Sequence, residues 1–266
     1  MAFFEMKYYS DALHLSVSVN VVLPDQAKTA AALSPREAKK QTYPVLYLLH
    51  GLSDDESIWE RRTSVERYAA DRGIAVVMPA VGRSWYTDTA YGANYFTFLT
   101  DELPVAVRSF FRGISDKRED TFIAGLSMGG YGAVKAALTY PERYAGCVSL
   151  SGALDIADTN RRQMTDEWRG IFGFDLTSVA QLSGTKHDVF ALAEQLKSKA
   201  FCPDIYLWCG EQDSLMGANE RFTALLNSLR IPYRFDRSEG NHSWKWWDLH
   251  ITDGLDYLLE KGKKTK

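Results

Sequence analysis

The stretch Thr121-Phe122-Ile123-Ala124 runs directly into Gly125-Leu126-Ser127-Met128-Gly129-Gly130-Tyr131-Gly132, and an Ala-rich segment follows. A short apolar strand, a G-x-S-x-G turn and a helix, in that order, constrain this chain more than any other feature. The turn is so sharp that Ser127 is forced into a strained backbone conformation with its hydroxyl exposed. Gly125 and Gly129 then stand where a Cβ would collide with the crossing strand or helix. The helix start also aims backbone N–H groups at the point beside the serine where an anionic oxygen would form. G-x-S-x-G alone is a common pattern. Its flanking strand and helix make Ser127 the candidate nucleophile.

Around this turn, short apolar runs alternate with helical patterns, which argues for an α/β protein with a mostly parallel central sheet flanked by helices. Leu15–Leu23 alternates and reads as an early antiparallel strand, and Val45–Leu49 as a fully buried one. A helix over 65–70 leads to a strand over 74–78, and 94–111 is helical with a bend near Pro104. The helix after Ser127 ends before Pro141, and a strand over 147–150 follows. From about 152 to 186 the periodicity lapses, and this segment is expected to be a short cap insertion over the carboxyl edge of the sheet. Regular alternation then resumes: a helix from Asp188, a strand over 205–208, a helix over 219–229, a strand over 233–236 and a terminal helix. The whole chain, 1–266, reads as one domain, a routine length for a large α/β sheet. Residues 24–43 read as a mobile surface loop and 261–266 as a frayed basic tail.

A net charge of −3 gives no reason to expect nucleic acid or an anionic membrane as partner. The first residues lack the pattern of an export signal, and no window has the length of a membrane span. Three cysteines, Cys147, Cys202 and Cys209, are odd in number and lack metal-ligand spacing. They are expected to be buried free thiols in a cytoplasmic protein. Ser53-Asp54-Asp55-Glu56 has capping-box spacing and is read as a helix start rather than a metal site. No metal or cofactor is expected.

A serine hydroxyl is a weak nucleophile at neutral pH and needs a base within hydrogen-bond reach. In the α/β-hydrolase fold that this pattern describes, the partners follow in the order Ser, acid, His. That order removes His14 and His50. His242 sits in Ser238-Glu239-Gly240-Asn241-His242, a loop directly after the last strand, and is the candidate base. His187 is expected to cap the helix that follows it, and His250 lies inside the terminal helix. The acid is expected just past the preceding strand, where Cys209-Gly210-Glu211-Gln212-Asp213 places Asp213, with Glu211 and Asp236 as rivals. For the oxyanion hole the candidate donors are the backbone N–H groups of Met128 and of Leu52, in the loop His50-Gly51-Leu52.

Together these residues resemble the esterase D-like branch of the α/β-hydrolases, and within it the small bacterial tributyrin (acetyl) esterases. The resemblance covers nearly the whole chain. It rests on Tyr47-Leu48-Leu49-His50-Gly51-Leu52, Trp85-Tyr86-Thr87-Asp88-Thr89, Gly125 to Gly132, Trp208 to Asp213, and His242 with its Trp-rich flank. It implies a Ser127–His242–Asp213 triad, hydrolysis of short-chain carboxylic esters without a cofactor, and assembly into a homo-oligomer. The related S-formylglutathione hydrolases carry a cysteine just after the oxyanion-hole loop, where Leu52-Ser53-Asp54-Asp55 has none. Trp85, Trp59 and Trp244 are the foremost candidates for a substrate pocket, with Tyr86, Tyr91, Trp168 and Phe172 behind them. Small acyl groups are the expected substrates. The alternatives are an esterase for acetylated sugars or hydroxycinnamates, an S-formylglutathione hydrolase-like thioesterase, an acyltransferase, and a hydrolase fold serving only to bind.

Overall fold

The computed structural model describes residues 1–24 and 42–264. The expected surface loop therefore lies, apart from its ends, outside the described residues, as do the last two residues of the basic tail. The strands are β1 (Ala2–Ser10), β2 (Leu15–Leu23), β3 (Val45–Leu49), β4 (Ala75–Pro79), β5 (Thr121–Leu126), β6 (Gly146–Leu150), β7 (Asp204–Gly210) and β8 (Tyr233–Ser238). They form one sheet in the order β1-β2-β4-β3-β5-β6-β7-β8. β1 and β2 make an antiparallel hairpin, and β2 also runs antiparallel to β4. Every pairing from β4 to β8 is parallel. Strands β3 to β6 are buried along their whole length, which is why they read as unbroken apolar runs.

The α-helices of five or more residues among the described ones are α1 (Ile58–Arg62), α2 (Val65–Arg72), α3 (Leu103–Phe110), α4 (Met128–Thr139), α5 (Asp166–Phe172), α6 (Val189–Gln195), α7 (Met216–Leu229) and α8 (Trp244–Lys264). Alternating strand side chains divide the apolar interior in two. Val45, Tyr47 and Leu49 of β3 face the core shared with α3, α4, α6 and α7. Leu46 and Leu48 face the core shared with α1, α2 and α8. Among the described residues no helix is long and apolar enough to cross a membrane.

Several local expectations are corrected. β1 has no counterpart in the sequence reading, because Phe3-Phe4 and Tyr8-Tyr9 break the two-residue alternation and the strand is largely exposed on both faces. The bend expected near Pro104 is a π-helical turn, Phe98–Glu102, directly ahead of it. Proline lacks the N–H that would continue the α-helical ladder, and a wider turn accommodates that loss. Ser53 and Glu56 form no capping box; α1 starts at Ile58, after a turn in which Asp55 Oδ1 accepts from Ser57 N–H at 2.9 Å. Asp188, not His187, caps α6, by accepting from Phe190 N–H at 2.9 Å. Cys147 and Cys209 are buried, whereas Cys202 is exposed in the loop before β7. The aperiodic segment over 152–186 contains α5, whose Trp168 and Phe172 anchor it to the core.

Candidate active site

Ser127 joins β5 to α4 with φ 53° and ψ −115°, a region that a non-glycine residue enters at a cost of about 1–3 kcal/mol. Three hydrogen bonds hold it there. Its N–H donates to Leu150 O at 2.9 Å, and its carbonyl accepts from Tyr131 N–H at 3.1 Å and Ala153 N–H at 3.0 Å. The glycines beside it permit the close crossing. A Cβ on Gly125 would overlap the backbone of Gly129, and one on Gly129 would stand 2.5 Å from Leu49 O. The α4 start is thereby pressed against the end of β3.

The loop after β8 carries His242 to this turn. Its Nε2 lies 3.0 Å from Ser127 Oγ and its Nδ1 2.8 Å from Asp213 Oδ2. A carboxylate can only accept, so Nδ1 carries the proton and the Nε2 lone pair faces the serine hydroxyl. The second Asp213 oxygen accepts from Leu215 N–H at 2.8 Å. Burial alone raises the Asp213 carboxyl. Hydrogen bonds from His242, Leu215 and Ser151 outweigh it, so the group titrates below the usual carboxylate range. Asp213 is buried while His242 keeps 36% of its side chain exposed, so the imidazole remains open to solvent. The rival acids lie elsewhere: Glu211 is exposed, and Asp236 accepts from Tyr206 Oη at 3.0 Å and pairs with Arg234.

Two supports were not legible in the sequence. Ser151, buried after β6 with φ 48°, hydrogen-bonds Asp213 and accepts from Trp247 Nε1 at 3.1 Å. Trp247 also meets the His242 ring edge-on at 4.8 Å. Gln212 ties the loops after β7 and β8 together: its Oε1 accepts from Gly240 N–H at 2.8 Å and its N–H donates to Gly240 O at 2.9 Å. Nothing in Leu150-Ser151-Gly152 announces a left-handed serine, and an exposed Gln in a turn carries no signal of its own.

The two candidate oxyanion donors belong to segments that the Gly129 crossing brings together. Met128 opens α4, and Leu52 follows His50, whose carbonyl would lie 2.7 Å from a Gly129 Cβ. The intervening loop is fixed by the His50 ring, with Nδ1 against Gly51 O at 2.7 Å and Nε2 accepting from Val81 N–H at 3.1 Å. Burial lowers the His50 pKa and favours this neutral form. Tyr86 Oη donates to His50 O at 2.9 Å.

The three aromatic residues expected along a pocket lie in different settings. Trp59 is sealed into the core shared with α8, its indole N–H donating to Leu49 O at 3.1 Å, so it is a core residue and not a pocket wall. Trp85 is also buried, in contact with Tyr131, Trp168 and Phe172. The Arg162 guanidinium lies over its ring at 4.7 Å. Trp244 is half-buried, edge-on to Trp59 and to Trp247. Trp85 and Tyr86 both have positive φ, 54° and 47°, and a buried amine holds this turn. Lys135 Nζ donates to Tyr86 O at 3.0 Å and Thr87 Oγ1 at 2.8 Å. Burial lowers its pKa to about 7, against a smaller opposite pull from Asp88.

Comparison with known proteins identifies the family of the chain. A family model named Esterase matches residues 10–258. An acetyl esterase of Caldicellulosiruptor saccharolyticus is 31% identical over 97% of this chain and 98% of its own. The substrate-bound fluorophosphonate-binding serine hydrolase F of Staphylococcus aureus superposes with a TM-score of 0.86 at 34% identity, covering 97% of this chain and 98% of that one. An S-formylglutathione hydrolase from the same organism, in its apo form, gives 0.83 at 33% identity with the same coverage.

Proposed function

The chain belongs to the esterase family, and within that family we propose that it is a serine carboxylesterase that hydrolyses short-chain acyl esters through Ser127, His242 and Asp213. The observation that carries this reading is the single imidazole reaching both partners, Ser127 at 3.0 Å and Asp213 at 2.8 Å.

His242 Nε2 takes the Ser127 proton as Oγ attacks the ester carbonyl carbon. The resulting oxyanion is held by the N–H groups of Met128 and Leu52; losing one such donor typically costs about 10²–10³ in rate. The intermediate collapses, and His242 delivers the proton to the departing alkoxide. Water then repeats the cycle on the acyl-enzyme and regenerates Ser127. Asp213 stabilises the imidazolium without taking the proton. No step calls for a metal or an organic cofactor.

Small acyl groups suit a site whose nearby aromatics, Trp85, Trp168 and Phe172, are packed on one another rather than spread along an open channel. The acetyl esterase relative favours the same substrate class. A thioesterase reading draws support from the S-formylglutathione hydrolase likeness.

Hydrolysis of p-nitrophenyl esters from acetate to octanoate, by wild type and Ser127→Ala, tests the proposal. Turnover peaking at short chains and falling at least ~100-fold in the variant is expected. A rate in Ser127→Ala close to wild type overturns it. A kcat/KM on S-formylglutathione far above every oxygen ester would replace it with the thioesterase reading.

A further inference from the structure

β1 is the outermost strand of the sheet and, among the described residues, pairs only with β2. It runs for nine residues without proline or glycine. Phe3 and Phe4 are 40% and 41% exposed and Tyr9 is 60% exposed. Long apolar edges of this kind are ready templates for another strand, and proteins ordinarily shorten, bend or cover them. Here the strand carries a pattern that selects its own partner.

Read outward from Met6, Phe3-Phe4-Glu5-Met6-Lys7-Tyr8-Tyr9 has the same chemistry in both directions, except that one arm bears an acid and the other a base. We propose that two copies of this chain associate through β1, antiparallel about a twofold axis at Met6, so that their sheets join into one. A twofold axis normal to the sheet keeps every side chain on its own face, so the register must centre on a residue. Centred on Met6, Glu5 of each copy faces Lys7 of the other, Phe3 faces Tyr9, Phe4 faces Tyr8, and Met6 meets itself. Moving the axis to Glu5 or Lys7 would set like charges against each other at the centre. Aromatic and opposite-charge pairs directly across a ladder are the stabilising ones, and like charges there are destabilising.

The flanking helix extends the seam. Phe111 packs against Phe4 at 5.1 Å, and Phe110, itself 59% exposed, lies beside Tyr8 at 6.3 Å. Ladder hydrogen bonds would supply affinity, and the side-chain pairs would supply register and partner choice. Strands β2, β4 and β3 separate the seam from β5 and Ser127, so its loss leaves the hydrolytic centre intact.

Sedimentation equilibrium on the full chain tests the proposal, with Glu5→Lys, Lys7→Glu and the double exchange. Wild type should sediment at twice the 30.0 kDa chain mass. Each single change turns two attractive pairs into two repulsive ones and should raise the dimer Kd about tenfold or more, while the double exchange restores it to within about threefold. In a Cys202→Ser background, oxidised Met6→Cys should give a disulfide-linked dimer, because cross-strand Cα separations of about 4.5–5.5 Å suit the bond. Phe3→Cys, whose symmetry mate would be about 20 Å away, should not. Unchanged melting temperatures show that the variants fold. A monomer throughout the micromolar range overturns the proposal. A dimer indifferent to the exchanges, or Phe3→Cys cross-linking as readily as Met6→Cys, does the same.

Discussion

The indole N–H of Trp247 donates to Ser151 Oγ at 3.1 Å, and each of these two residues also touches one member of the His242–Asp213 pair. Trp247 meets the imidazole edge-on, and Ser151 hydrogen-bonds the carboxylate. Imidazole and carboxylate are thus held by a contact between α8 and the end of β6, independent of the loops that carry them. Trp247→Phe keeps the ring and removes the donor, so kcat should fall about tenfold with KM little changed. Ser151→Ala also strips a hydrogen bond from a buried carboxylate and should cost more. Steady-state kinetics on p-nitrophenyl acetate, set beside melting temperatures, checks both. A purely structural role would lower the melting temperature and leave kcat intact.

Replacing Asp213 by Asn puts an amide against His242 Nδ1. An amide N–H in that position favours the tautomer protonated on Nε2, which cannot accept the Ser127 proton, and kcat should fall by about 10³–10⁴. The same carboxyl carries a pH signature. Its folded pKa lies below the unfolded value, so its stabilisation is complete above about pH 4 and is lost as pH falls through the folded value. Urea unfolding of wild type and Asp213→Asn should therefore show a wild-type advantage that is constant down to about pH 5 and shrinks on acidification below about pH 4.

The three residues of the proposed triad were legible because each follows a strong local pattern: Ser127 comes directly after one apolar strand, and Asp213 and His242 follow two others in a fixed order. What surrounds them was not. Ser151, Trp85 and Tyr86 owe their conformations to positive φ, which a glycine would have advertised and these side chains do not. Trp59 was a pocket candidate, yet its indole N–H satisfies the carbonyl of Leu49 inside the core, a partner that sequence position does not reveal. β1 escaped notice for a different reason. A strand exposed on both faces has no buried side to impose alternation.

Two glycines predict opposite responses to the same substitution. At Gly129 an added Cβ would meet Leu49 O at 2.5 Å and His50 O at 2.7 Å, both backbone atoms that cannot turn away. Gly129→Ala should destabilise the fold by about 3 kcal/mol or more and disturb the Met128 amide with it. At Gly217, near the start of α7, the nearest atom is the end of the Arg221 side chain at 3.7 Å. Gly217→Ala should be neutral or stabilise by about 0.5 kcal/mol, through the lower backbone entropy of alanine in the unfolded chain. Thermal denaturation of the two variants side by side separates steric contact from propensity.

Lys135 offers the sharpest test of how the turn at Trp85 and Tyr86 is held. The residue is 2% exposed, and its amine is bonded to Tyr86 O and Thr87 Oγ1 and lies 4.6 Å from the Phe96 ring centroid. Burial has lowered its pKa from 10.5 to about 7, so between these values the unfolded chain binds a proton that the folded chain does not. Stability contributed at this site must therefore rise with pH across that window, by at most about 1.4 kcal/mol per pH unit, and level off on either side. Lys135→Met retains most of the apolar stem and removes the titration. Measured by urea unfolding, wild type should gain on Lys135→Met steadily from about pH 7 to about pH 10. Equal slopes for the two proteins would mean that the amine stays protonated when buried. The turn would then be held by an ammonium, with the cation–π contact to Phe96 as part of its stabilisation.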